Sequence, residues 1–136
     1  MKKKRTYNFA DLARIMDRLL SDKGCPWDRK QTHKSLLKYL YEEADETASA
    51  VRKKDWPNLR EELGDVLLQV VFHAALAKRD GRFTLAQVVD GIAKKMVRRH
   101  PHVFGGKKHV DTAGKVLVQW AEIKAKEKAR KKKKSA

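Results

Sequence analysis

Cysteine, proline, glycine and long apolar runs are all scarce in this sequence. The single cysteine, Cys25, rules out an internal disulfide and fits a reducing compartment. It has no evident base partner, so a thiol nucleophile is not expected. No apolar run approaches the ~18 residues of a membrane-spanning helix. The opening Met1-Lys2-Lys3-Lys4-Arg5 has the charge of a secretory n-region, but no apolar h-region follows it. A cytoplasmic chain with no membrane contact is expected. Neither GxGxxG nor GxxxxGK[ST] occurs, so any phosphate must be held without a glycine-rich loop.

Three prolines and seven glycines leave few breaks. The prolines and four of the glycines fall at Gly24-Cys25-Pro26-Trp27, at Asp55-Trp56-Pro57, at Gly81, and from Pro101 to Gly105-Gly106. Between them the apolar residues recur at helical spacing, with almost no β-branched alternation. Five helices are expected, over about 8–22, 32–53, 57–79, 84–99 and 112–132. Thr32 and Thr84 suit N-caps, Pro57 suits a first turn, and Gly81 sits just past a helix end. Short loops between long helices predict an all-α, single-domain antiparallel bundle of four to five helices. The 136 residues are 41% hydrophobic, enough for one real core.

Charge is the abundant commodity, at a net +16. Four positive charges lie in residues 1–5, and residues 122–136 add a net +6, leaving +6 for everything between. The basicity is therefore concentrated in terminal arms. Such arms keep a protein soluble, or bind nucleic acid weakly and without sequence preference. Residues 1–7 read as a basic N-terminal arm and residues 129–136 as a solvated lysine-rich tail.

The acids are patterned differently. Leu40-Tyr41-Glu42-Glu43-Ala44-Asp45-Glu46 in the second predicted helix superposes on Leu59-Arg60-Glu61-Glu62-Leu63-Gly64-Asp65 in the third after a shift of 19 residues. At 100° per residue, Leu36, Leu40, Thr47 and Val51 form one apolar stripe, and Leu59, Leu63, Val66, Val70 and Ala77 form another. Glu43 and Glu62 fall at the edge of those stripes, with Glu46 and Asp65 rotated outward by about 60°. A turn near residues 54–55 brings all four to within roughly 6 Å of one height, at ~1.5 Å rise per residue. Four carboxylates at one level repel. Either they form a solvated acidic face offset by nearby lysines, or a hard divalent cation compensates them, Mg²⁺ or Mn²⁺ being the natural choice. A ferritin-like iron site normally uses Glu-x-x-His elements, and here both elements end in a carboxylate.

The fourth predicted helix places Leu85, Val88, Val89, Ile92 and Met96 on its apolar face, flanked by Lys95 and Arg99, with Arg98 a step further out. These cations complement the helix dipole, or meet phosphate oxygens. A polyphosphate held through Mg²⁺ would join the acidic and basic features.

The stretches CPWDRKQTHKSLLKYLYEEADE, NLREELGDVLLQVVFHA, RRHPHVFG and QWAEIKAKEK resemble the MazG family of nucleoside triphosphate pyrophosphohydrolases. The likeness runs over about residues 8–128. It implies an all-α bundle that forms homodimers or larger homo-oligomers, and Mg²⁺-dependent hydrolysis of NTPs and dNTPs to the monophosphate and pyrophosphate, as in nucleotide-pool house-cleaning. Carried over by motif, the metal ligands fall on Glu43, Glu46, Glu62 and Asp65, and Glu42 orients or deprotonates the attacking water. Lys95, Arg98 and Arg99 would then neutralise the β- and γ-phosphates. Trp27 and Asp28 of the CPWD stretch, with His33, would line a base or ribose pocket, Trp27 being equally suited to plugging a core. Trp120 and Lys124 would close over the nucleotide. His73 falls on the core side of its helix as a neutral histidine. The competing functions are a basic-armed bundle that binds nucleic acid, and a metal-binding regulatory bundle with no catalysis.

Overall fold

The computed structural model describes residues 3–4, 6–106 and 110–135; Met1, Lys2 and Arg5 of the expected N-terminal arm lie outside the described residues. All regular structure among them is helical: α1 (Phe9–Leu19), α2 (Pro26–Lys30), α3 (His33–Arg52), α4 (Trp56–Arg79), α5 (Leu85–Arg99), α6 (Pro101–Phe104) and α7 (Ala113–Ser135). The five expected helices are present. The two additions are single short turns at proline breaks, because Pro26 and Pro101 start a helix as readily as they end one. No described helix is long and apolar enough to cross a membrane. The chain forms two compact units, Met1–Val88 and Val89–Ala136.

In the first unit the helix ends obey local chemistry. The Thr32 hydroxyl accepts from the Ser35 backbone N–H at 3.0 Å, and the Ser35 hydroxyl accepts from the Thr32 backbone N–H at 2.9 Å. This reciprocal box starts α3. Asp55 caps α4, accepting from the Asn58 N–H at 3.3 Å. Between them the chain reverses through Lys54, which sits in the left-handed region at φ 55°. The Asp55 N–H then reaches back to the Ala50 carbonyl at 3.0 Å, closing α3. Gly24 is needed for another reason: a Cβ there would stand 2.1 Å from the Leu19 carbonyl oxygen. That carbonyl is also the acceptor for the Cys25 N–H at 2.8 Å.

The α3–α4 hairpin is the main packing contact, and α1 lies against α4. Met16, Leu36, Val71, Phe72 and Leu76 form the core, ringed by Leu12, Leu19, Leu20, Tyr39, Leu68, Ala75 and Leu85. Each fully buried large side chain contributes about 1.5–3 kcal/mol. Asp11, in the first turn of α1, is buried and accepts from the Asn8 N–H and from Lys4 Nζ, both at 2.9 Å, and from Arg14. These bonds, the backbone one first, hold its carboxyl down at about 2. Lys4 of the expected basic arm thus ion-pairs with α1.

The core faces correct the expected stripes. Leu63 is 52% exposed, Val70 42% and Val51 50%. The inward face of α4 instead follows Glu62, Asp65, Gln69, Phe72 and Leu76, alternating steps of three and four; its C-terminal members are buried. On α3 the matching line is Leu36, Glu43 and Ala50. α4 is apolar on two faces, and periodicity alone favoured the one the fold leaves open.

In the second unit, His100 packs edge-on against Trp120, with ring centroids 5.2 Å apart. Gln119 Nε2 lies 2.9 Å from His102 Nδ1, joining α6 to α7. Val89, Ile92 and Met96 are exposed, although periodicity placed them on a covered face. α7 continues to Ser135, past the expected end near 132, and Arg130 to Lys133 of the lysine-rich tail are exposed on it; Ala136 lies outside the described residues.

Candidate active site

The α3–α4 hairpin sets three carboxylates together. One oxygen from each of Glu43, Glu62 and Asp65 lies within 4.8 Å of the others. Glu43 comes from the inward line of α3, between Leu36 and Ala50, and Glu62 and Asp65 begin the inward line of α4. The capped turn at 53–55 fixes the register that levels them, as counting outward from the turn predicts. Oε2 of Glu43 and Oε2 of Glu62 are buried and accept no hydrogen bond. A buried carboxylate oxygen without a donor is costly, so these atoms call for a shared proton or a cation.

The protonation equilibria say the same. The Glu62 carboxyl is pushed up to about 7, first by the neighbouring Glu46 carboxyl, then by burial and by Glu43. Burial, with Asp65 and Glu46 nearby, raises Glu43 as well. Glu46 is exposed and stands outside the tight trio, but bears directly on it. Glu42 and Asp45 are both exposed on α3. Hard, clustered, oxygen-only donors fit Mg²⁺ or Mn²⁺ rather than a soft or imidazole-seeking metal.

The other expected residues are more scattered. His33 stacks on His73 with rings 10° from parallel and Nδ1 atoms 2.8 Å apart. Burial, then the charge on His33, pushes the His73 pKa down, keeping that ring neutral as expected. Trp27 is 51% exposed and meets Tyr39 edge-on at 6.0 Å, so it does not plug the core. Asp28 is half-buried beside it on α2.

In the second unit, Arg98 Nη2 donates to Glu127 at 3.1 Å and Arg99 Nε donates to Glu127 at 3.2 Å. These bonds pull the Glu127 carboxyl down to about 2. Lys95 is half-buried near them, Lys124 is exposed, and Trp120 Nε1 is buried with no acceptor. Lys94 points away, paired with Asp90 at 2.8 Å. Sequence reasoning missed Glu127 as a partner, having counted it only as a minority acid of the tail. It also missed Gln69, a buried amide in line with Glu62 and Asp65. That line was readable from the three-four spacing.

The model of the MazG nucleotide pyrophosphohydrolase domain family matches residues 31–104. A nucleoside triphosphate pyrophosphohydrolase/pyrophosphatase MazG of Thermotoga maritima is 51% identical over 124 residues, covering 91% of this chain and 47% of that protein. The nucleoside triphosphate pyrophosphohydrolase of Escherichia coli K12 is 42% identical over 126 residues, 92% of this chain and 48% of its own length. The chain thus spans about half the length of these curated relatives. The crystal structure of a mazG-related protein from Thermotoga maritima superposes with a TM-score of 0.71 at 34% identity, over 85% of this chain and 98% of that one. On the fold, the match over most of a solved relative and the paired acidic motifs that carry the site, this chain belongs to the MazG nucleotide pyrophosphohydrolase domain family.

Proposed function

We propose that this chain hydrolyses nucleoside triphosphates, ribo- or deoxyribo-, to the monophosphate and pyrophosphate in a Mg²⁺-dependent reaction serving nucleotide-pool house-cleaning. The observation that carries the reading is the carboxylate trio with its two buried, unpartnered oxygens. Glu43, Glu46, Glu62 and Asp65 would hold the metal, with Mn²⁺ as a substitute. Bound metal supplies charge neutralisation on the phosphates and a lower pKa for a coordinated water. Glu42, exposed one residue before Glu43, would orient that water or take its proton. Lys95, Arg98 and Arg99 would neutralise the β- and γ-phosphates. Trp27, Asp28 and His33 would serve the base and ribose, and Trp120 and Lys124 would close over the nucleotide. Residues 8–128 would act as the functional domain.

A homo-oligomer completes the reading. Leu63, Leu67 and Val70 are exposed at successive turns of α4, a seam at helix-pairing spacing that water disfavours. The test is pyrophosphate release from a panel of NTPs and dNTPs with Mg²⁺, with Mn²⁺ and with chelator. Release of pyrophosphate with either metal and none with chelator is expected. Release of orthophosphate, or metal-independent turnover, would overturn the reading.

A further inference from the structure

The second unit holds a cavity of about 280 Å³ lined by Lys95, Arg98, Arg99, Glu127, Arg130 and Lys131. Arg130 and Lys131 belong to the segment that the sequence reads as a solvated tail. Because α7 continues without a break, Glu127, Arg130 and Lys131 stand at i, i+3 and i+4 and share one helix face. The cavity thus collects five cationic residues around one carboxylate. Its volume is at the small end of ligand sites, which run from about 300 Å³ upward. That suits a diphosphate group better than a whole nucleotide.

Glu127 is the organising element. Its side chain is 12% exposed and spans two successive guanidiniums, which would otherwise repel each other. Arg99 spends its Nε edge on Glu127, with a longer contact of 3.5 Å from Nη2. A guanidinium carries five donor hydrogens, and Nη1 of Arg99 has no partner among the described residues. Lys95 is half-buried and likewise has no ion-pair partner among them. Fixed guanidinium donors and a half-buried ammonium are the chemistry of oxyanion recognition.

We propose that Glu127 is a positioning residue that holds Arg98 and Arg99 for the phosphates already assigned to them, and that Arg130 and Lys131 of the α7 extension contribute to the same diphosphate site. The proposal deepens the pyrophosphohydrolase reading and rests on it only for the choice of a phosphate as the anion. The group held would be the β,γ-diphosphate of a substrate or the pyrophosphate released from it.

Inorganic pyrophosphate is the probe, titrated calorimetrically in metal-free buffer into the full chain, into Glu127→Ala and Glu127→Asp, and into the Arg130→Ala/Lys131→Ala double variant. Glu127→Ala should weaken binding about tenfold although it removes a negative charge, and Glu127→Asp should recover part of the loss. The double variant should also lose about tenfold or more. A nucleoside monophosphate, lacking the diphosphate, should bind all forms alike, and an NTP should follow pyrophosphate if the substrate is the source. Unchanged or tighter pyrophosphate binding by Glu127→Ala would overturn the positioning role, since charge alone then governs affinity. An unaffected double variant would remove the α7 extension from the site. Equal losses for pyrophosphate and monophosphate would mark general damage and overturn the proposal; Glu127→Gln, which keeps the side-chain shape, repeats the test if the alanine variant loses helicity. A chain that releases no pyrophosphate from any NTP yet shows these losses would sink the proposed reaction and leave this site standing. A chain that hydrolyses NTPs with pyrophosphate binding insensitive to every variant would do the reverse.

Discussion

Glu62 and Glu127 are the same side chain in opposite company. Glu62 sits in the α3–α4 hairpin among other carboxyls, and its proton is held up to about 7 by Glu46, burial and Glu43. Glu127 lies on α7 between Arg98 and Arg99, and its proton is held down to about 2. The first region gathers carboxyls and leaves buried oxygens unpartnered; the second ties two guanidiniums to one carboxylate. Carboxyls crowded together repel one another, whereas guanidiniums bonded to a shared carboxylate are held in place. The acidic hairpin thus concentrates negative charge, and the basic cluster holds Arg98 and Arg99 in place. Local stability is spent in one place and gained in the other.

The largest expected effect is on turnover. Glu43→Gln or Asp65→Asn should lower pyrophosphate release by about a hundredfold or more, since even residues that merely orient metal ligands cost 10–100-fold. The same variants should melt at or above the wild-type temperature without metal, because repulsion is relieved. Full activity in either would break the comparison at its acidic end. Next comes stability: Glu62→Gln should raise the metal-free melting temperature, and Glu127→Gln should lower it and speed hydrogen exchange in α7. Shifts of the same sign would show that the two carboxyls are not in opposite environments.

The pH response sharpens the contrast further. Glu62 titrates near 7 folded against an ordinary 4.5, so the unfolded chain gives up its proton first. Its contribution is present below about 4.5 and is lost as pH rises through 7 in the metal-free protein. Glu127 and Asp11 titrate near 2 folded, against 4.5 and 3.8. Their contributions are present above those ordinary values and are lost as pH falls toward 2. Denaturant midpoints at pH 3, 5 and 8 should therefore peak near 5 without metal, and Mg²⁺ should flatten the decline toward 8. Stability that keeps climbing from 5 to 8 without metal would contradict the raised Glu62. The smallest effect belongs to the turn joining the two acidic helices. Lys54→Gly should stabilise the chain by about 0.5–1 kcal/mol in chemical denaturation, because glycine adopts the left-handed conformation without a Cβ penalty.

The sequence by itself determined the helical class, four of the caps and breaks (Thr32, Pro57, Gly81 and Thr84), and the levelling of Glu43, Glu62 and Asp65. Each depends on chemistry or spacing within a few residues of one turn, and such rules act before any distant contact forms. Only the tertiary structure decided which apolar face of α4 is covered. Leu63 and Val70 satisfy the helical period as well as Phe72 and Leu76 do, and periodicity records that a face is apolar without recording what lies against it. The same holds for charge. The pairing of Arg99 with Glu127 joins residues 28 positions apart, whereas the partners of Asp11 (Lys4, Asn8 and Arg14) are all close to it in sequence. An ion pair between helices is fixed by which helices meet and at what register, and local sequence carries neither.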